Sequence, residues 1–188
     1  MKTYKILTLC LIFLLSLTSC CLATTVELDP TQVPQGSSSY WCWAACDRSI
    51  ILQYTDNSPY NNNIVAWVDC GDEDGTAPAV RSATVDETRS ALTHWDVSSS
   101  RSFSNLSWTA VQSQINNSHL CIACFKPQSG TGHAVLICGW SNTWPYGNRV
   151  EYMDPADADY HWLDYDSFDG GEWLGTDWSW FGSIYSCE

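Results

Sequence analysis

Over residues 43–54, apolar side chains recur at helical spacing: Trp43, Cys46, Ile50, Ile51 and Tyr54 share one face. The pattern predicts a helix there. Residues 57–63 are polar and read as loop, 64–68 as a short apolar piece, and 69–78 as an acidic, Gly-containing loop. Thr84-Val85-Asp86-Glu87 predicts a second helix, because a Thr and a Glu three residues later can each bond the other's backbone N–H. Its inward face carries Val85, Thr88, Leu92 and Trp95. Ser107 caps a third helix, with Trp108, Val111 and Ile115 inward. Beyond residue 119 the period changes. Residues 120–125 and 134–138 are short apolar runs rich in β-formers, separated by Pro127-Gln128-Ser129-Gly130-Thr131-Gly132, which predicts strand, turn, strand. Residues 149–153 read as another strand. Helices followed by strands predict an α+β fold. The expected layout is one domain over 24–188, with a helical lobe over 24–118, an antiparallel β lobe over 119–188 and a cleft between them.

The first residues read as an address. Lys2 and Lys5 precede an uncharged apolar stretch over 6–17. As a helix those twelve residues span about 18 Å, short of the roughly 30 Å of a bilayer core. A secretory signal peptide over 1–23 fits better. Leu17-Thr18-Ser19-Cys20 resembles a bacterial lipobox, which would make Cys20 a lipidated N-terminus. Cys21-Leu22-Ala23 suits ordinary cleavage after Ala23. The expectation is therefore a secreted, cell-surface or periplasmic protein, an outer-membrane lipoprotein if Cys20 is acylated. Residues 24–39 are polar, with two prolines and a Ser run, and read as a leader or a strap across the surface.

Charge narrows the partners. The 188 residues carry 8 Lys+Arg against 21 Asp+Glu, a net charge of −13. That excludes a basic footprint for nucleic acid and electrostatic docking to anionic lipid. Hydrophobic residues at 45% and charged ones at 15% argue against disorder. Residues 151–188 hold ten acids, no Lys or Arg, and ten interleaved aromatics, a pattern suited to an antiparallel sheet with acidic loops. Trp162, Trp173, Trp178 and Trp180 read either as a sugar-stacking platform or, better, as β-lobe core and cleft wall.

Export also changes how cysteine reads. Cys42, Cys46, Cys70, Cys121, Cys124, Cys138 and Cys187 follow the leader. An odd set leaves at least one thiol unpaired within the chain. Cys46 is expected to pair away from Cys42, with Cys70 as its partner, and Cys121, Cys124 and Cys138 read as buried thiols.

Cys42 is the thiol with a use. In Trp41-Cys42-Trp43-Ala44-Ala45 it stands at a helix start, where unpaired backbone N–H groups and the positive dipole end favour a thiolate nucleophile. Gly132-His133-Ala134 opens a strand with a His between small residues, able to reach a cleft as general base. Asp154, ending the next strand before Pro155, can hold that imidazole in its useful tautomer. Gln35 and the Cys42 N–H can stabilise an oxyanion. Trp41, Trp43 and Gly132 are expected along the substrate cleft.

Other sites fit less well. His119, Cys121, Cys124, His133 and Cys138 hint at zinc, but on strands Cys121 and Cys124 face opposite sides, as do His133 and Cys138. No metal is assigned. Asp69, Asp72, Glu73 and Asp74 precede Gly75, yet an EF-hand register puts Arg81 at the bidentate Glu position.

Gln35, Trp41-Cys42-Trp43-Ala44-Ala45, Gly132-His133-Ala134-Val135 and Asp154-Pro155 together resemble the papain-like cysteine proteases. The likeness is to their compact bacterial branch of bacteriocin-processing and secreted effector peptidases. It implies a nucleophile-bearing helical lobe, a β lobe carrying the base, a thiolate–imidazolium pair and an acyl-enzyme hydrolysed by water. It implies a peptide or protein substrate, a monomer, and no cofactor beyond a reducing agent to keep the thiol free. The branch often has Asp where papain has Asn, which suits Asp154. The Gln usually lies six residues before the Cys and here lies seven, an excess that the Ser37-Ser38-Ser39 run can absorb as a bulge. Transglutaminase-like acyltransferases share the Cys–His–Asp order, and a non-catalytic Trp-rich carbohydrate- or peptide-binding module is the remaining alternative. The latter needs neither Cys42 nor His133.

Overall fold

The computed structural model describes residues 23–37, 40–143, 145–175 and 177–188. The expected signal peptide, all but Ala23, and with it Cys20, lies outside the described residues. The elements run β1 (Thr25–Glu27), α1 (Cys42–Tyr54), α2 (Asn61–Cys70), α3 (Val85–His94), β2 (Ser100–Ser102), α4 (Trp108–Asn116), β3 (Cys121–Pro127), β4 (His133–Ser141), β5 (Arg149–Asp154), β6 (Asp159–Asp164), α5 (Tyr165–Gly170) and β7 (Trp178–Tyr185).

The seven strands form one antiparallel sheet in the order β2-β7-β3-β4-β5-β6, with β1 also on β4. The fold is α+β, as the pattern predicts. β1 and β2 precede residue 119 and still join the sheet, because both are three-residue strands that pair with partners far along the chain. β4 is buried almost throughout.

The sheet has a core on each face. Alternate residues of β3 divide between them, as pleating requires. Ile122 and Cys124 pack with Cys42, Cys46, Ile50, Leu92 and Leu136 against α1 and α3. Cys121, Ala123 and Phe125 pack with Val111, Ile115, Trp140, Phe168 and Trp180 under α4 and α5. Cys121 and Cys124 thus point opposite ways. Phe168 and Trp173 stack with ring centres 5.8 Å apart, and Phe125 meets both Phe168 and Trp180. Trp173 and Trp180 are therefore spent in the core, where aromatic pairs add stability beyond their buried area.

Local signals explain the helix starts. Thr84 Oγ1 accepts from the Glu87 N–H at 3.2 Å, and Glu87 returns the bond to the Thr84 N–H at 2.8 Å. Ser107 Oγ accepts from the Ala110 N–H at 3.3 Å. α2 is a correction, since the sequence reading gave loop and a short apolar piece there. It starts with Asn63 Oδ1 accepting from the Tyr60 N–H at 2.8 Å. It ends at Gly71, whose φ of 74° and N–H bond to Trp67 O at 2.7 Å make a left-handed C-cap.

The expected Cys46–Cys70 disulfide is also corrected. Both thiols are free: Cys46 is sealed in the core, and Cys70 is exposed at the end of α2. All seven described cysteines are unpaired in this structure.

Candidate active site

The site forms where the start of α1 meets the start of β4. Trp41, the residue before the helix, provides no side-chain cap, and the first turn holds no acid. The positive end of the helix is thus left to Cys42, its first residue. The flanking indoles clamp the chain that lies beside it. Trp41 Nε1 donates to Pro78 O at 3.3 Å, and Trp43 Nε1 donates to Arg81 O at 3.0 Å. Cys42 is buried, 4% exposed, and its sulfur accepts from the Ala134 N–H at 3.4 Å.

His133 enters β4 from Gly132. A Cβ at 132 would sit 2.6 Å from Phe125 O, so only glycine lets the turn pass that close to β3. His133 Nε2 lies 2.8 Å from Asp154 Oδ1, and the ring lines the same hollow as Cys42, whose sulfur bears on its protonation. With Nε2 engaged by Asp154, Nδ1 is the nitrogen left for sulfur. Asp154 is the last residue of β5, the strand beside β4, and Oδ1 also accepts from the Ala156 N–H at 2.9 Å.

Burial alone would lower the His133 pKa, because it penalises the charged imidazolium. The Asp154 hydrogen bond and then the Cys42 sulfur outweigh it and push the pKa up to about 10. Burial alone would raise that of Asp154. The hydrogen bond and charge of His133, with the Ala156 N–H, hold it below the usual carboxylate range instead. The His133–Asp154 pair is therefore charged at neutral pH.

Two hollows meet at His133. One, with about 400 Å³ of open space, is lined by Cys42, Trp43, Val85, Thr88, Cys124 and Phe181 among others. The other, with about 770 Å³, is lined by Gln35, Asp154, Ala156, Leu174 and Trp178 among others. Tyr40, Gly132 and His133 border both. Trp43 lines the first hollow and Gly132 both, whereas Trp41 lines neither and is used as the clamp on Pro78.

Gln35 arrives on the strap that the sequence suggested. The strap is tied down by Leu28 N–H to Cys138 O at 2.8 Å, Ser49 Oγ to Thr31 O at 2.6 Å, Asn61 Nδ2 to Pro34 O at 2.8 Å, and Tyr160 OH to Pro30 O. The Gln35 N–H then donates to Pro155 O at 2.9 Å, next to Asp154. This brings Gln35 to the same hollow as His133 and Asp154.

The sequence reading missed Tyr40, Val85, Thr88, Cys124, Phe181 and Leu174 as groove residues. They come from five separate stretches of chain, and no local pattern joins them. His94, which had no partner in the sequence, stacks on Trp67 at 4.2 Å and meets Glu73 Oε1 at 2.7 Å, away from the groove.

A family model described as papain-like cysteine protease AvrRpt2 matches residues 23–169. Among solved structures, a Bacillus anthracis protein described as a C39-like peptidase aligns with a TM-score of 0.56. The alignment has 11% identity and covers 86% of this chain and 97% of that one, a likeness of fold. No curated protein matches the sequence.

Proposed function

Since the chain belongs to the papain-like cysteine proteases, and so is a cysteine peptidase, we propose that it is an exported endopeptidase with Cys42, His133 and Asp154 as its catalytic residues. The observation that carries this reading is one imidazole that hydrogen-bonds a carboxylate and shares a hollow with a helix-start sulfur. A structural His needs one such partner, and a nucleophile–base–orienter chain needs both.

The reaction runs in two halves. The Cys42 sulfur, as thiolate, attacks the peptide carbonyl carbon. The carbonyl oxygen takes the negative charge and is met by the Cys42 N–H and the Gln35 side-chain amide. The His133 imidazolium gives its proton to the departing amine, the C–N bond breaks, and a thioester remains. His133, now neutral, takes a proton from water, whose oxygen attacks the thioester. Collapse releases the carboxylic acid and returns the sulfur to its thiolate–imidazolium pair. Asp154 stays ionised throughout and keeps Nδ1 turned toward sulfur.

Export rests on the leader, with Cys20 as a lipid anchor. Mass analysis of the mature N-terminus tests it; a chain still beginning at Met1 removes it. The catalytic reading is tested by labelling with an epoxide thiol inhibitor. One equivalent is expected on Cys42, with none on Cys42→Ala and strongly reduced labelling on His133→Ala. Labelling that is unchanged in both variants would falsify the assignment. A sugar-array screen tests the binding-module alternative, and no retained glycan is expected.

A further inference from the structure

The groove holds a second thiol that peptide hydrolysis does not use. Cys124 faces Ala134 across the β3–β4 ladder. Residues directly opposite in an antiparallel pair have Cα atoms about 4.5–5.5 Å apart. Ala134 is also the residue whose N–H touches the Cys42 sulfur at 3.4 Å. Cys42, Cys124 and Ala134 pack in the same core, on the same face of the sheet. Cys42 and Cys124 line the same hollow, so both meet what enters it. Cys46 is one turn along α1 and fully buried, and it is not among the residues lining that hollow.

We propose that Cys124 is a resolving cysteine for Cys42: a peroxide-class oxidant that reaches the groove converts the pair into a reversible Cys42–Cys124 disulfide. The proposal rests on Cys42 being the nucleophile. In the first step the Cys42 thiolate attacks the peroxide oxygen. The O–O bond breaks, a proton from the His133 imidazolium completes the leaving alcohol or water, and Cys42 becomes a sulfenic acid. In the second step the Cys124 sulfur attacks the sulfenic sulfur. The S–O bond breaks, the Cys124 proton and the hydroxyl leave as water, and the disulfide forms. Peroxide is reduced by two electrons and the two thiols are oxidised by two.

Depth suits Cys124 to the second role. Burial, with the Cys42 sulfur beside it, pushes its pKa up, so it stays a thiol while Cys42 reacts first. Without a neighbour, a sulfenic acid goes on to irreversible sulfinic and sulfonic forms. With one, an exported protease is carried inactive through oxidising surroundings and is restored by a thiol reductant.

The test uses the full chain after export, treated with hydrogen peroxide and then dithiothreitol. Peptide mass mapping of oxidised wild type should find Cys42 linked to Cys124. Wild type should regain most of its own reduced activity. Cys124→Ser and Cys124→Ala should regain at least ten-fold less of theirs and carry sulfinic or sulfonic Cys42. The Cys46→Ala variant should recover as wild type does. A Cys42–Cys46 link, sulfinic Cys42 in wild type, or equal recovery in the Cys124 variants overturns the proposal. A protease whose reduced activity survives Cys42→Ala overturns the catalytic reading instead, whatever the mapping shows, so the two failures are distinguishable.

Discussion

Asp154, partly buried beside the start of α1, and Asp47, fully buried within α1, are carboxyls whose pKa values move in opposite directions. Asp154 borders the groove and accepts from His133 at 2.8 Å and from the Ala156 N–H at 2.9 Å. Those partners override burial and keep it ionised. Asp47 lies in α1 on the core side, with no exposed surface, and neither oxygen has a hydrogen-bond partner among the described residues. Burial pushes its pKa well up, toward the neutral acid. Partners set against burial decide which way the charge goes. At the groove the chain provides partners and gains a fixed ion pair. Below the helix it leaves a polar group orphaned and loses stability.

The comparison breaks most plainly at the imidazole. Replacing His133 with Ala should lower kcat/KM on a peptide substrate by about 10,000-fold, the scale of losing one member of a catalytic triad. Asp47→Asn should leave kcat/KM within about three-fold, because Asp47 borders neither hollow. Steady-state kinetics on both variants checks this, and a comparable loss in Asp47→Asn would erase the distinction between the two regions.

Asp154→Ala sharpens the comparison through pH. An expected loss of about 100- to 10,000-fold in kcat/KM falls in the range of general-base catalysis. More telling is the alkaline limb. His133 is pushed up to about 10 with Asp154 in place, and without it the limb should move down toward the ordinary value near 6.5. An unmoved limb would mean that Asp154 does not hold the ring. The same shifts act on stability. The raised His133 pKa makes a contribution that is full below about 6.5 and is lost as pH rises through about 10. The lowered Asp154 pKa makes one that is present above about 3.9 and is lost as pH falls below it.

Asp47 has the opposite sign. A carboxyl whose pKa rises on folding costs stability as pH climbs above its unfolded value near 3.9. Asp47→Asn removes that cost, so its benefit should be near zero at pH 4 and clearly larger at pH 8. For a chain of this size the rise in Tm is roughly 2–4 °C per kcal/mol. Thermal unfolding at the two pH values measures it, and destabilisation at pH 8 would mean that Asp47 has a partner after all.

What the sequence made legible follows the range of the interaction. Thr84 and Ser107 act on N–H groups three residues away, so their helices could be read directly. α2 escaped because its first bond uses Asn63 inside a run of asparagines that looks like loop. Cys42, His133 and Asp154 were readable because each sits at the end of an element that local pattern defines. The groove wall was not, since Val85, Cys124 and Phe181 meet only through sheet register and helix packing. Cys46 was paired wrongly for the same reason: nothing in linear spacing reveals that α1 keeps it in the core while Cys70 faces solvent.

The smallest expected effect concerns the substrate's charge. Asp157, Asp159 and Asp177 are exposed in the stretches flanking Asp154 and Trp178, on the side of the groove where Asp154 and Trp178 line the larger hollow. No Lys or Arg follows residue 149. The groove side that is fixed and charged at Asp154 thus opens onto a negative rim. A basic peptide should be drawn to that rim over about a Debye length, roughly 10 Å at 0.1 M salt and 3 Å at 1 M. Its kcat/KM should exceed that of a neutral peptide of equal length by a few-fold at low salt, through faster association, and the advantage should vanish near 1 M. Equal rates for the two peptides at low salt would show that the rim acids are screened from the path a substrate takes, and that only the buried pair at His133 matters to the reaction.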